Sequence, residues 1–313
     1  MDTESPPSSG LLACDKPMGI TSRDCVNIIE RLLRERFPKP HRLPKVGHAG
    51  TLDPSATGVL VMGIGAGVRL VPYIQQMTKQ YDATFRLGFW SESGDLESEV
   101  HREDNPKIPT LAELQAASFL LIGNIKQTPP STSAIKVNGK KAYKYAHQGI
   151  AVVVPSRVVR VDSIEITRYE YPEVDLSIRC GSGTYIRTLG MDLAIGCQTR
   201  GVMSRLQRTQ IGVFDLATCH SLRDLTCESL ACALLPLAIG VSSLPKLSLT
   251  EDQIDKLTMG LKLDAATVNE PKLSTGAEAS VMDAAGYLRA IARLSENRWC
   301  PYRVFPSPSN GSD

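Results

Sequence analysis

The stretch Lys45-Val-Gly-His48-Ala-Gly-Thr-Leu-Asp53-Pro-Ser-Ala-Thr-Gly58-Val-Leu60 packs one histidine, one carboxylate and several glycines ahead of an apolar run. Asp53-Pro54 between glycines reads as a turn that can point its carboxylate outward into a cleft. The same composition also fits an Asx turn, in which Asp53 only accepts backbone N–H bonds. A lone carboxylate does not meet the two-carboxylate template of ordinary glycoside hydrolysis. The continuation, Gly58 to Gly65, reads as a buried strand. Gly63-Ile-Gly65-Ala-Gly67 then invites a dinucleotide-binding reading. Its third glycine comes one residue early, however, and no ribose-binding acid follows a second strand. Tight-turn glycines are the better account.

Working outward, Leu11 to Cys14 reads as a short strand followed by a turn at Lys16-Pro17-Met18-Gly19. Thr21 or Ser22 caps a helix carrying Val26, Ile29 and Leu33 at helical spacing, which Pro38 closes. Val68 to Met77 reads as a short helix, Gln80 to Leu87 as an alternating strand, and Leu111 to Leu121 as a helix. The segments Ile150–Pro155, Val158–Tyr169 and Asp175–Cys180 have the β-branched content of strands, and Gly183 to Gly196 turns into a helix. Past about residue 245 a capped helix starting at Thr250 precedes short strands, with turns at Asn269-Glu270-Pro271, Thr275-Gly276 and Ala285-Gly286. The expected organisation is a disordered tail over 1–10, an α/β body over 11–243, a β-rich module over 244–305, and a frayed end over 306–313.

The chain has 313 residues, 35 Lys+Arg against 33 Asp+Glu, and 42% hydrophobic residues, a composition that excludes disorder as its main state. No run approaches the roughly 18 apolar residues of a membrane span. The opening MDTESPPSSG lacks the features of a signal peptide, so a cytoplasmic protein is expected. Eight cysteines form no C-x-x-C pair, and neither a disulfide framework nor a metal site is expected. The net charge of +2 would argue mildly against a nucleic-acid partner, but its distribution is uneven. Leu114 to Val161 holds no acid and carries Lys126, Lys136, Lys140, Lys141, Lys144, Arg157 and Arg160. Leu193 to Phe214 is also acid-free, and Arg31 to Lys45 contains Glu35 alone among acids. The acids gather instead in Glu92 to Asp104. A surface that tracks phosphates needs such segregation, because affinity for a polyanion follows the local field.

Five ordered motifs over about 190 residues carry a family resemblance. The Asp53 segment resembles GHxGTLDPxATGVL of the TruB family of tRNA pseudouridine synthases. Asp15-Lys16-Pro17-Met-Gly19-Ile-Thr21-Ser22 is similar to its DKPxGxTS start, and Lys79-Gln80-Tyr81 with Leu87-Gly88 to its K-x-Y…LG segment. Pro129-Pro130-Ser-Thr-Ser133-Ala134-Ile-Lys136-Val-Asn-Gly139 with Tyr143 resembles PPxxSAxKxxGxxxY. Gly183-Thr184-Tyr185-Ile186-Arg187-Thr-Leu189 with Asp192-Leu193 is similar to GTYIRxLxxDL. The chain departs from the family pattern at Phe89–Asp95, at Ala146-His147 and at Gln198-Thr-Arg200-Gly201, sites expected to line the RNA rim.

The resemblance implies an α+β pseudouridine synthase fold, with a central mixed, mainly antiparallel sheet flanked by helices and a small PUA-like C-terminal module. It implies isomerisation of uridine 55 in the tRNA T arm by base flipping, glycosidic cleavage, base rotation and reattachment through C5. Asp53 is carried over as the essential carboxylate, Arg187 as its ion-pair partner, and Tyr81 as the phenol that stacks on the base and assists proton removal. His48 would fill the gap left by the flipped nucleotide, and Tyr185 and Leu206 would wall the uracil pocket. Leu206 is included because Leu206-Gln-Arg208-Thr209 resembles the family's LRRT. Lys16 and Lys136 would bind phosphate. A redox-neutral reaction within one nucleotide needs no cofactor. The expected partner is tRNA, with no membrane, no obligatory protein partner, and a monomeric state. The alternatives are a guide-RNA-dependent synthase of the dyskerin type and a non-catalytic RNA-folding protein.

Overall fold

The computed structural model describes residues 9–130, 154–268 and 273–306, with the backbone of 136–137 and 140–141. Residues 150–153 of the strand expected over Ile150–Pro155, the turn at Asn269-Glu270-Pro271, Tyr143 to His147 and the side chain of Lys136 lie outside the described residues, as do most of the two expected tails, and residues 154 and 155 are not in a strand.

The body is built on β1 (Gly10–Lys16), α1 (Ser22–Arg36), β2 (Val46–His48), β3 (Thr57–Ile64), α2 (Val71–Gln76), β4 (Lys79–Leu87), α3 (Leu111–Phe119), β5 (Gly123–Gln127), β6 (Arg157–Glu170), β7 (Glu173–Cys180), α4 (Ile186–Gly196) and β8 (Gly201–Ile211). Ten strands form one sheet, whose main path runs from His220–Ser221 through β1, β3, β8, β4, β7, β6 and β5. Only the β1 pairing with His220–Ser221 and the β3–β8 pairing are parallel, so the sheet is mixed and mainly antiparallel as expected.

Local chemistry sets these elements. The Thr21 hydroxyl accepts from the Asp24 N–H while the Asp24 carboxylate accepts from the Thr21 N–H, a reciprocal cap that starts α1. Cys25, Val26, Ile29 and Leu33 then recur on one buried face of that helix. Along β4, Lys79, Tyr81, Ala83, Phe85 and Leu87 are buried, alternating with more exposed neighbours, so one face meets helices and the other water. The helix α4 lies against that inner face at Gly190, where an added Cβ would fall 1.9 Å from the Phe85 ring. Glycine is therefore a condition of this packing.

The long strand β8, at the centre of the sheet, is absent from the sequence reading, as are β5 and the helix Cys227–Ala233. The ten-residue helix expected over Val68 to Met77 resolves into a 3₁₀ turn, Gly65–Leu70, followed by the shorter α2.

Beyond residue 245 a five-stranded sheet, Lys246–Leu247, Glu278–Met282, Leu288–Ser295, Arg298–Val304 and Leu263–Asp264 in spatial order, encloses its own core around Trp299. Leu288, Ile291 and Phe305 reach out of that sheet into the cluster of Leu11, Val59, Leu70 and Ile74. The Tyr73 hydroxyl donates to Glu278 (2.5 Å) and Arg69 donates to the Val304 carbonyl (2.6 Å), so the module is docked on the body by both apolar and polar contacts. No described helix is long and apolar enough to cross a membrane.

Candidate active site

Asp53 sits in the loop between β2 and β3, which the preceding turn holds from outside. The Gly19 N–H donates to the Pro54 carbonyl (2.8 Å), and the Ser22 hydroxyl and Leu52 exchange hydrogen bonds of 2.9 and 3.2 Å. The Lys16 ammonium donates to the carbonyls of Ile20 (2.7 Å), Pro17 (3.0 Å) and Pro54 (3.4 Å). Lys16 is 0% exposed, and burial lowers its pKa. This corrects the phosphate-binding role expected of it: Lys16 ties the turn to the Asp53 loop, and its ammonium donates to three backbone carbonyls. The side of the loop nearer the core is fixed by Arg208, whose Nε donates to Val59 (2.8 Å) and Nη1 to Thr51 (3.4 Å). At Gly58 the backbone has φ +104° and a Cβ would lie 2.2 Å from the Arg208 carbonyl, so only glycine lets β3 and β8 approach here.

Held in this way, Asp53 keeps its side chain 40% exposed at a cleft of about 550 Å³ and lies 3.2 Å from Arg187 Nη2. Arg187 is in the first turn of α4, 5% exposed, and its Nη1 reaches Asp95 at 2.6 Å and the Ser93 carbonyl at 3.0 Å. One guanidinium thus bridges two carboxylates, one buried and one open to the cleft. Asp95 is itself tied down, accepting from the Ser93 hydroxyl (2.5 Å) and the Glu97 N–H (3.0 Å). The reading of Phe89–Asp95 as RNA rim is corrected at its last residue, because Asp95 is 2% exposed and belongs to the ion-pair chain. Thr199, in the expected rim segment Gln198–Gly201, is buried as well and donates to Glu103.

Tyr81 and Leu206 also line the cleft, projecting from the inner faces of β4 and β8. Burial raises the Tyr81 phenol pKa, and the Arg208 guanidinium opposes that rise. Tyr185 lines it too, at the cap of α4, with Arg157 stacked 5.1 Å over its ring. Its backbone is clamped by the buried Gln127, which donates to the Tyr185 carbonyl (3.0 Å) and accepts from its N–H (2.7 Å). His48, half-buried at the end of β2, is not part of the cleft wall. The structure therefore brings together Asp53, Arg187, Tyr81, Tyr185 and Leu206, leaves His48 at the start of the loop, and puts Lys16 behind it.

Asp95, Gln127, Arg208 and Lys79 complete the site, and the sequence reading does not single them out as site residues. Lys79 begins a family motif, Gln127 lies two residues before one, and Arg208 lies in the LRRT-like segment. Those motifs are the signal that could have found three of the four. Among the described residues no group of three His, Cys, Asp or Glu side chains could hold a metal ion.

Known proteins resemble this chain in sequence and in fold. A family model described as TruB family pseudouridylate synthase (N terminal domain) matches residues 38–186. A protein named tRNA pseudouridine synthase B from Rhodopirellula baltica is 39% identical over 95% of this chain and 95% of its own length. One of the same name from Leifsonia xyli subsp. xyli is 40% identical over 84% of this chain and 86% of its own. Among solved structures, a Cbf5-Nop10-Gar1 complex contains a chain that superposes with a TM-score of 0.73 at 23% identity, covering 97% of this chain and 89% of that one. An H/ACA RNP bound to a substrate RNA containing 2′-deoxyuridine gives a TM-score of 0.71 at 22% identity, covering 96% and 86%.

Proposed function

Because the chain belongs to the TruB family of pseudouridylate synthases and is thereby an isomerase acting on tRNA, we propose that it converts uridine 55 of the T-arm loop to pseudouridine with Asp53 as the essential carboxylate. The observation that carries this reading is the Asp53–Arg187–Asp95 chain at the mouth of the cleft. A carboxylate held at 3.2 Å by a buried guanidinium stays oriented toward the solvent side, where a flipped nucleotide would enter. There it stabilises or attacks the sugar C1′ as the N1 glycosidic bond opens. The base then turns within a wall of Tyr81, Tyr185 and Leu206 and rejoins through C5. Tyr81 stacks on the base and assists removal of the C5 proton. His48 takes the space the nucleotide vacates. The module over 244–305 extends the RNA surface beyond the cleft.

The expected result is that Asp53→Asn abolishes pseudouridine formation while T-arm RNA affinity stays within a few-fold. Tritium release from C5-labelled T-arm RNA measures the first and filter binding the second. Turnover retained by Asp53→Asn would remove the assignment. The assay is run without guide RNA or added protein, and wild-type activity under those conditions separates a stand-alone synthase from a guide-dependent one.

A further inference from the structure

The cleft contains more buried positive charge than its carboxylates can balance. Arg187 has two acidic partners, but Arg208 and Lys79 have only neutral ones. Arg208 is 2% exposed, and beyond the bonds from Nε and Nη1 to backbone carbonyls its buried Nη2 meets no described acceptor at hydrogen-bond geometry, although the guanidinium lies close enough to the Tyr81 phenol to oppose the rise of its pKa. Lys79, 7% exposed, donates to the carbonyls of Gln75 and Met77. Burial, with Arg208 close by, pushes its ammonium down to about 8. Both residues line the same cleft as Asp53 and Leu206. Arg208 stands directly across the β4–β8 ladder from Tyr81, and Lys79 lies two residues before Tyr81 on the same inward face.

An unsatisfied guanidinium N–H in a closed environment is costly. The uridine substrate is neutral at its base and supplies no counter-charge in the ground state. The reaction does supply one. When the C1′–N1 bond breaks, the base keeps the electron pair and becomes a uracil monoanion with charge spread over N1, O2 and O4. C5 then bonds to C1′, the C5 proton departs, and N1 regains a proton, so product and substrate are isomers.

We propose that Arg208 is a catalytic residue for this step, its Nη2–H donating to a carbonyl oxygen of the detached uracil anion, with Lys79 adding positive charge beside it. Such a donor has only the neutral Tyr81 phenol beside it in the ground state and strengthens as the anion forms, the arrangement that lowers a barrier most effectively. The burial of both groups favours the base over the RNA backbone as their target, since phosphates stay at the rim. This inference rests on the Asp53 cleft being the active site.

Single-turnover rates on T-arm RNA carrying either uridine or 5-fluorouridine at the target position test it, read as loss of the intact nucleoside by mass spectrometry of digests. Fluorine makes the leaving base more acidic, so its anion needs less stabilisation. Arg208→Lys should slow the uridine reaction by about 100-fold and the fluorouridine reaction by less than about tenfold, with RNA affinity kept. An equal loss on both substrates overturns the proposal. So does a loss confined to affinity, which would make Arg208 a phosphate contact. If thermal scans show that Arg208→Lys does not fold, Lys79→Gln carries the same comparison, with a smaller substrate-dependent loss expected and a uniform loss overturning it. Asp53→Asn serves as the separate control: its retained turnover would mean the cleft is wrong, whereas an inactive Asp53→Asn beside a uniform Arg208→Lys effect overturns this inference alone.

Discussion

Asp95 decides how firmly Arg187 can hold Asp53. A guanidinium carries two parallel N–H edges, and here each is claimed by a different carboxylate. With Asp95 removed, the inner edge loses its anion and Arg187 is free to withdraw from the 40% exposed Asp53 toward other acceptors. Asp95→Asn keeps the shape and removes the charge. Its kcat should fall by about 10- to 100-fold, the scale set by a displacement of about 1 Å in a catalytic group, while RNA affinity remains unchanged. Steady-state kinetics with a parallel binding titration check this, and a variant whose KM rises at constant kcat would instead put Asp95 in substrate binding. Nothing local in the sequence marks Asp95 among the acids of Glu92 to Asp104, because its partner lies 92 residues away. Asp53, by contrast, is legible: its turn chemistry raises it and its motif gives it a role. Lys16 is legible only as a charge, and its motif says nothing about the direction in which the ammonium points.

At the scale of elements, the same division holds. Helices and strands with a clean period and a cap are readable from the chain: α1 with its Thr21 box, β4 with its strict alternation, and β6 and β7 with their β-branched runs. The strand β8 is not, because Gly-Val-Met-Ser-Arg-Leu-Gln-Arg-Thr-Gln-Ile places an arginine on the buried face, where the pattern calls for an apolar residue. That exception is functional, since the buried arginine lines the cleft. The register between β4 and β8 and the seating of α4 are tertiary matters that no single segment encodes. Gly190 is where they meet. Gly190→Ala would gain helix propensity of about 1 kcal/mol, but its methyl has to displace the Phe85 ring or lift α4 off the sheet. Overpacking of this kind costs about 1–3 kcal/mol or more, so the net expectation is a lowered Tm. Because Arg187 rides on α4, activity should fall further than stability alone explains at temperatures where the variant is folded. Thermal unfolding and single-turnover rates at about 20 °C together check both parts.

For the whole molecule, a net charge of +2 gives a poor picture of the electrostatics, because the charges are sorted by segment. The outward side of the sheet has a cleft bearing Asp82, Glu165 and Asp175 beside Arg205, a net acidic lining that repels a polyanion. A second cleft, of about 690 Å³, lies where the body meets the C-terminal module and is lined by Arg42, Lys45 and Arg69 with no acid among its described walls. Lys45 stands just before β2, the strand that ends at His48, so this basic cleft is connected to the Asp53 loop by one short extended segment. An RNA stem that enters the active site past β2 meets these three cations. Removing one cation that neutralises a phosphate makes the slope of log affinity against log salt shallower by about one. The triple variant Arg42→Ala, Lys45→Ala, Arg69→Ala should therefore bind T-arm RNA with a slope shallower by about two to three, and with the largest fall in affinity at low salt. Arg205→Ala, which removes the same kind of charge from the acidic cleft, should leave the slope unchanged. Binding titrations between roughly 50 and 300 mM salt separate the two, and equal slopes for the triple variant and the wild type would move the RNA path to another face of the protein.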